Sequence, residues 1–513
     1  MWKNLISAYV EELPKFNDYL LMDFRQEKIA AIPEYISQLF DLSIQMVKGS
    51  IEPGKPCLEY VGYSELTPKE RLEHIKRKNT NGKKFDIRTS RLKLVKYDFS
   101  FMGEIFSMVI DIPYIHNHAL VYEGSDYYPI FAIIEKGGMS RFANEVVLQV
   151  MRARLKFWRA ERCLVRTTVG DQFKEINVTC KLHQAGGRGR KKPPLLIYHL
   201  AKFGFKGTMQ YHGINDRIQI IESDVDPVEK GFKFIFMAPK LYLKVDEVII
   251  NETKEQNARR ILVSLCEIYK FHNEFDYRSA HDCAYYIVVL GKWTYPSVKK
   301  ETLLYTNAIT HLKMNESMLD PAAQNQYRSV GIDAKDLDEL LLIIFNNIDK
   351  LLRDYRPNDL YNKKIGALDQ MMVGLVRTFN NKALKCLVNS KTKLTRDNII
   401  SLMNSTKNRM LTSSTMFRSN PTFYNPNFLL TIGGKRFRSV DNTEIVDGVA
   451  GSGSLPIELL KAHPSQMYVE SIMAYPSSNP VVSGTINPFC IIDTDGNVIP
   501  PVWKDEIEHV FDV

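Results

Sequence analysis

His463-Pro464-Ser465, Tyr475-Pro476-Ser477-Ser478-Asn479-Pro480 and Gly484-Thr485-Ile486-Asn487-Pro488-Phe489 close the most telling part of this chain. They follow a stretch, Asn398 to Val440, that holds Lys407, Arg409, Arg418, Lys435, Arg436 and Arg438 and no Asp or Glu. A solvated helix mixes charge signs. A one-signed run closed by Pro, Gly and Asn turns reads instead as rigid loops and short strands facing a polyanion.

Outward from there, the whole chain is mildly basic, with net charge +9 over 513 residues. That length exceeds one hydrophobic core, so two or three domains are expected. The 44% hydrophobic and 25% charged content is that of a soluble globular protein. Seven cysteines are scattered without a Cys-x-x-Cys pair, which disfavours a zinc ribbon or a disulfide framework and suits a reducing cytoplasm. The N-terminus reaches Glu11 and Glu12 before a signal-peptide core could form, and the longest apolar run, Cys283 to Leu290, is too short to span a bilayer.

Periodicity predicts a mixed α+β chain. Ile36, Phe40, Ile44 and Val47 mark a helix within the first 50 residues, and Asp86 to Pro129 reads as extended. Val147, Met151, Leu155 and Trp158 predict an amphipathic helix over Ala143–Trp158. Lys230 to Ile250 reads as strands. Leu337, Leu341, Ile344, Ile348 and Leu351 predict a helix over Asp336–Tyr355, a core seam. Helical patterns continue over Lys364–Leu387 and Thr395–Leu411, and loops with short strands follow.

Most motifs that could carry chemistry have a plainer reading. Asp493 and Asp495 could hold Mg²⁺, yet Asp495-Gly496 between apolar pairs is a strong hairpin signal. His116 and His118 lack a matched Cys or Glu and read as a strand edge. Cys283, at the head of an apolar run, reads as a buried thiol. Gly448, Gly451 and Gly453 lack the Gly-Lys-Ser/Thr of a phosphate loop. The basic clusters carry more. Arg188, Arg190, Lys191 and Lys192 sit in a Gly/Pro-rich stretch that could neutralise phosphates, although a solvated loop explains them equally. In a strand over Lys435-Arg436-Phe437-Arg438, Arg436 and Arg438 share one face, which suits bidentate phosphate contacts.

Read in order, these features resemble the N-terminal half of the β subunit of multi-subunit DNA-dependent RNA polymerases. Arg188 to Phe205 is similar to that family's lobe segment. Asp359-Leu-Tyr-Asn362-Lys363-Lys364-Ile365, followed by Gly374-Leu-Val-Arg377, resembles the return from lobe to protrusion. Ser413, Ser414, Phe417, Asn420 and Pro421 resemble the rifamycin-pocket stretch, and Lys435 to Ser439 the family's Lys-Arg-Arg-Ile-Ser. Gly448 to Pro456 takes the place of a fork loop, and His463-Pro464-Ser465 that of His-Pro-Thr. The resemblance spans about Arg188 to Trp503 in the same order. It implies a first part of the protrusion at 1–140, a lobe at 141–358, the second part of the protrusion at 359–407 and a fork region at 408–513.

Departures are also plain. The family's Glu-Thr-Pro-Glu-Gly-Pro-Asn is replaced by Ala474 to Pro480, and the pocket stretch is rearranged, so insensitivity to rifamycins is expected. The resemblance fits best the split β subunit of giant tailed phages. It implies β C-terminal-like and β′-like subunits, a promoter-specificity subunit, template DNA and nascent RNA as partners, in the cytoplasm of an infected bacterium and without a membrane. It implies no cofactor on this chain, with Mg²⁺ held by the β′-like subunit. Nucleic-acid contacts fall on Arg436, Arg438, Lys435, Arg409, Arg418, Asn362, Lys363, Lys364, Arg188 and Arg190. Ser452, Gly453 and Ser454 would form the fork loop, and Pro476, Asn479 and Asn487 the wall of the active centre. A basic viral structural or packaging protein would explain the charge but not the order of motifs. A free-standing enzyme using Asp493 and Asp495 would explain neither.

Overall fold

The computed structural model describes residues 26–49, 56–79, 93–112, 115–116, 119–122, 125–129, 131–136, 139–142, 144–150, 154–182, 192–316, 318–319, 321–328, 330–353, 359–366, 379, 395–407, 417–418, 435–439, 463–469, 483–486, 490–493 and 496–500. Two compact units divide the chain: a discontinuous one, residues 1–136 with 356–513, and a continuous one inserted in its sequence, residues 137–355.

The discontinuous unit opens with helix α1 (Gln26–Gly49), whose Ile32, Ile36, Leu39, Phe40 and Ile44 are buried at helical spacing. Strand β1 (Glu59–Glu65), helix α2 (Pro68–Asn79) and strands β2 (Lys93–Phe101) and β3 (Glu104–Ile112) follow, the three strands pairing antiparallel in the order β1-β2-β3. Phe40 of α1 meets Tyr97, Phe99 and Phe379 with ring centroids 4.7–5.6 Å apart, an edge-on aromatic cluster that joins helix to sheet. Short strands β4 (Ile115–His116), β5 (Ala119–Tyr122) and β6 (Ser125–Pro129) complete the extended stretch expected there, and β7 (Phe131–Glu135) follows beyond its expected end.

In the inserted unit, β8 (Met139–Phe142), β9 (Glu145–Gln149), β10 (Arg154–Arg166) and β11 (Gln172–Lys181) form one antiparallel sheet. The helix expected over Ala143–Trp158 is therefore corrected to two strands. Its 3.6-residue pattern coexists with a stronger period of two: Leu155 pairs with Leu148 and Phe157 with Val146, and all four are buried. Valines at 146, 147 and 150 favour the strand as well. Helix α3 (Leu196–Tyr211) comes next and is kinked at Gly204, where φ is +67°. Strands β12 (Ile218–Glu222), β13 (Phe232–Ala238) and β14 (Leu241–Asp246) form a second sheet in the order β12-β14-β13. The rest is helical: α4 (Glu247–Asn251), α5 (Gln256–Phe271), α6 (Cys283–Thr294), α7 (Glu301–Glu316), α8 (Pro321–Arg328) and α9 (Leu337–Arg353). The expected stripe on α9 holds, with Leu337, Leu341, Ile344 and Ile348 buried and Leu351 packed at the margin. Phe345 and Leu352 widen it.

The chain then returns to the first unit. A 3-10 turn (Leu360–Asn362) leads into β15 (Lys363–Gly366), so the helical pattern expected from Lys364 begins as a strand. Helix α10 (Arg396–Lys407), strands β16 (Phe417–Arg418) and β17 (Lys435–Ser439), helix α11 (Pro464–Val469) and strand β18 (Ser483–Ile486) complete the described elements.

Candidate nucleic-acid interface

Four strands distant in sequence form one mixed sheet in the order β15-β7-β17-β18. Strand β17 runs parallel to β7, with Arg438 in register with Ala132. Strand β15 runs antiparallel to β7, with Gly366 opposite Ala132 and Lys364 opposite Ile134. On the far side Arg438 pairs with Ser483 and Arg436 with Thr485. Because successive residues of a strand alternate faces, this register assigns positions 364, 436 and 438 to one face, along with 483 and 485. The opposite face receives Phe131, Ile133, Ile365, Phe437 and Ile486. It also receives Lys363, in register with Glu135 and only 8% exposed, whereas Lys364 is half-buried. The sheet thus sorts two adjacent lysines by face. Strands β15 and β17 lie two strand spacings apart, about 10 Å, with Arg438 level with Gly366 rather than with Lys364.

This sheet is pinned from behind β15. Asp359 caps the 3-10 turn: one carboxylate oxygen accepts the Tyr361 N–H at 2.9 Å and the other the Asn362 amide at 3.0 Å. The Ser465 hydroxyl accepts the Leu360 N–H at 2.8 Å and lies 2.8 Å from His463 Nδ1. Asp359, Ser465 and His463 do not constitute a nucleophilic triad. Carboxylate and hydroxyl both face Nδ1 of the same ring, at 3.7 and 2.8 Å, and Ser465 is wholly buried. The three instead tie the His-Pro-Ser motif to the Asp-Leu-Tyr-Asn motif. Farther along, Tyr468 Oη accepts the Ile491 N–H at 3.0 Å, and Lys364 bridges to Asn497.

The described residues on either side of the Asp-Gly pair form a hairpin, and Asp495 itself lies outside them. Ile492 bridges Val498, and Gly496 takes φ +87°. Asp493 spends both carboxylate oxygens on Asn497, at 2.8 Å to its backbone and 2.8 Å to its amide. Among the described residues, no three His, Cys, Asp or Glu side chains group as metal ligands. Cys283 is half-buried rather than buried, because it opens α6 beside the N-capping Asp282. Burial and that carboxylate push its thiol up, away from a reactive thiolate.

Of the residues singled out from sequence, Lys364, Arg436 and Arg438 take positions on one face of this sheet, and Lys435, in register with Ile486, takes one on the opposite face. Asn362 adjoins the sheet, with its amide engaged by Asp359. Arg418 lies on β16, which pairs with β6 in another sheet. Arg188, Arg190, Arg409, Ser452, Gly453, Ser454, Pro476, Asn479 and Asn487 lie outside the described residues. Sequence reading missed β7, the strand joining the two motifs, although Phe131-Ala132-Ile133-Ile134 is the apolar run of a central strand.

A cationic face on a pinned sheet is equipment for handling a polyanion. Comparison with known families gives that class a sharper definition. The family described as non-virion RNA polymerase subunit matches residues 2–501. The chain belongs to that family: it is a subunit of an RNA polymerase, one that acts in the infected cell together with other polymerase subunits. No curated protein matches the chain. Among the described residues no helix is long and apolar enough to cross a membrane.

Proposed function

We propose that this subunit is the N-terminal β-like fragment of a split multi-subunit polymerase, walling one side of the cleft that holds template DNA and nascent RNA. The observation that carries the reading is the sheet uniting β15 with β17. It draws together two motifs more than 70 residues apart, one that the resemblance assigned to the protrusion and one to the fork region. The division into an inserted unit, 137–355, and a discontinuous one supports a lobe within a protrusion, with the fork region following.

In this reading the chain acts by position and charge. Arg436 and Arg438 grip phosphates of the RNA–DNA hybrid, and Lys364 faces the non-template strand. Arg409, Arg418, Arg188 and Arg190 add further backbone contacts. Ser452, Gly453 and Ser454 form the loop where the duplex opens, with Pro476, Asn479 and Asn487 near the active centre. Catalytic Mg²⁺ belongs to a β′-like subunit, which would supply the metal-assisted phosphoryl transfer. A β C-terminal-like chain and a promoter-specificity subunit complete the enzyme, in the cytoplasm of the infected bacterium.

The test is purification of the tagged chain from infected cells, with mass spectrometry and an RNA-synthesis assay on the eluate. Co-purifying β′-like and β C-terminal-like chains with rifamycin-resistant synthesis support the reading. An eluate with Arg438→Ala that assembles and elongates unchanged would sink the role given to Arg438.

A further inference from the structure

The inserted unit carries a second cationic face, whose assignment to nucleic acid rests on the polymerase reading; of its residues, only Lys192 belongs to the basic stretch noted in the sequence. Strand register sets Lys156 directly opposite Lys181 and Trp158 opposite Thr179, all on one face of the β8–β11 sheet. The other face holds Leu155, Phe157, Val178 and Cys180 in the core, so the lysines cannot exchange sides. Like charges directly opposite on a sheet destabilise it unless an anion lies between them. Glu145, opposite Trp158, is the carboxylate at hand. It is already engaged, with Lys156 Nζ at 3.1 Å on one oxygen and the Trp158 indole N–H at 2.7 Å on the other. Among the described residues Lys181 has no ion-pair partner and is exposed.

A third ammonium joins them. Lys192 Nζ stands 3.2 Å from the centroid of the Trp158 ring. Its place is set by backbone: Pro193 O accepts the Cys180 N–H at 3.0 Å, Leu195 N–H reaches Val178 O at 2.8 Å, and Pro194 bridges Thr179. Residues 193–195 therefore run as an added strand beside β11, and Lys192 cannot swing far from Lys181. Burial holds its ammonium pKa down. Glu145 opposes that effect, and the charges of Lys156 and Lys181 reinforce it. The cluster sets three cations against one carboxylate around an aromatic ring.

We propose that Lys156, Lys181 and Lys192, with Trp158 at their centre, bind the phosphodiester backbone of nucleic acid. Phosphates set between Lys156 and Lys181 relieve their repulsion and draw Lys192 off the indole. An extended chain of phosphates fits this row better than a single anion, because the cations are spread over two neighbouring strands and the segment beside them. The site lies in the other unit from Arg438, so each can fail without the other.

Trp158 reports the event directly. Tryptophan emission of the polymerase complex containing this subunit is followed while a 20-nucleotide single-stranded DNA, the matching RNA or the duplex is added. Inorganic phosphate serves as the single-anion control. Emission is expected to change with nucleic acid and not with phosphate, and Trp158→Phe should reduce the change. Lys156→Gln with Lys181→Gln should weaken binding about tenfold near 0.1 M salt and flatten the log–log salt dependence by between one and two. Unchanged affinity and salt slope in that double variant would overturn the proposal. So would a response undiminished in Trp158→Phe, or one that inorganic phosphate reproduces.

Discussion

The hydroxyl of Ser465 accepts the backbone N–H of Leu360 at 2.8 Å, across 105 residues of sequence. Both groups are buried, so this one bond fixes how the strand carrying Lys364 leaves its turn. Ser465→Ala leaves a buried N–H unsatisfied and is expected to cost about 1–3 kcal/mol. Chemical denaturation of the purified chain should show a lower midpoint than wild type.

Lys363 and Lys364 should part company under mutation. Lys364→Gln removes a charge from the face shared with Arg436 and Arg438, so RNA synthesis should lose activity while the melting temperature holds. Lys363 lies on the buried side, in register with Glu135. Lys363→Ala should therefore lower the melting temperature first. A pair of variants with identical profiles would refute the assignment of faces.

Gly204 sits at φ +67° inside α3, and a Cβ there would stand 3.0 Å from the His281 carbonyl and 3.3 Å from Cys283 Sγ. Gly204→Ala meets both a strained backbone and a close contact, and a loss above about 1 kcal/mol is expected. Thermal melting against Gly213→Ala is the comparison to make. Gly213 shares the positive φ but has open space around it, so it isolates the backbone cost.

A buried and a half-buried imidazole make stability depend on acid. His199 Nδ1 lies 2.9 Å from His212 Nε2, and burial pulls His199 down to about 4 and His212 down to about 3. Both folded values lie below the unfolded value near 6.5, so the unfolded chain takes up protons first. Their stabilisation is complete above pH 6.5 and is lost as pH falls toward 4 and then 3. The slope reaches at most about 1.4 kcal/mol per pH unit for each ring. Melting curves at pH 7 and pH 5 should differ for wild type and differ less for His212→Gln.

Arg260, 2% exposed, places its guanidinium on Asp349, which also faces Arg159 at 3.5 Å. Asp349→Leu strands a buried cation and should cost about 3–5 kcal/mol, whereas Asp349→Leu combined with Arg260→Met should recover much of that loss. Denaturant midpoints of the single and double variants decide it.

Local patterns told most where one periodicity dominated. The α9 stripe from Leu337 to Ile348 and the hairpin that pairs Ile492 with Val498 were legible because neighbours within a few residues settle them. Ala143–Trp158 misled because two periods overlapped, and pairing with β11 decided between them. Lys156, Lys181 and Lys192 gave no sequence signal as a group, since register and an added strand bring them together.

Charge, the order of motifs and the common face of Arg436 and Arg438 were set by the sequence itself, because composition and strand period are local properties of the chain. Tertiary structure alone decided which other strand would lie beside those arginines, and which of two adjacent lysines would share their face. Those choices rest on the register between β15, β7 and β17 and on the Ser465–Leu360 bond. They pair residues tens to hundreds of positions apart, and no local pattern encodes such a pairing.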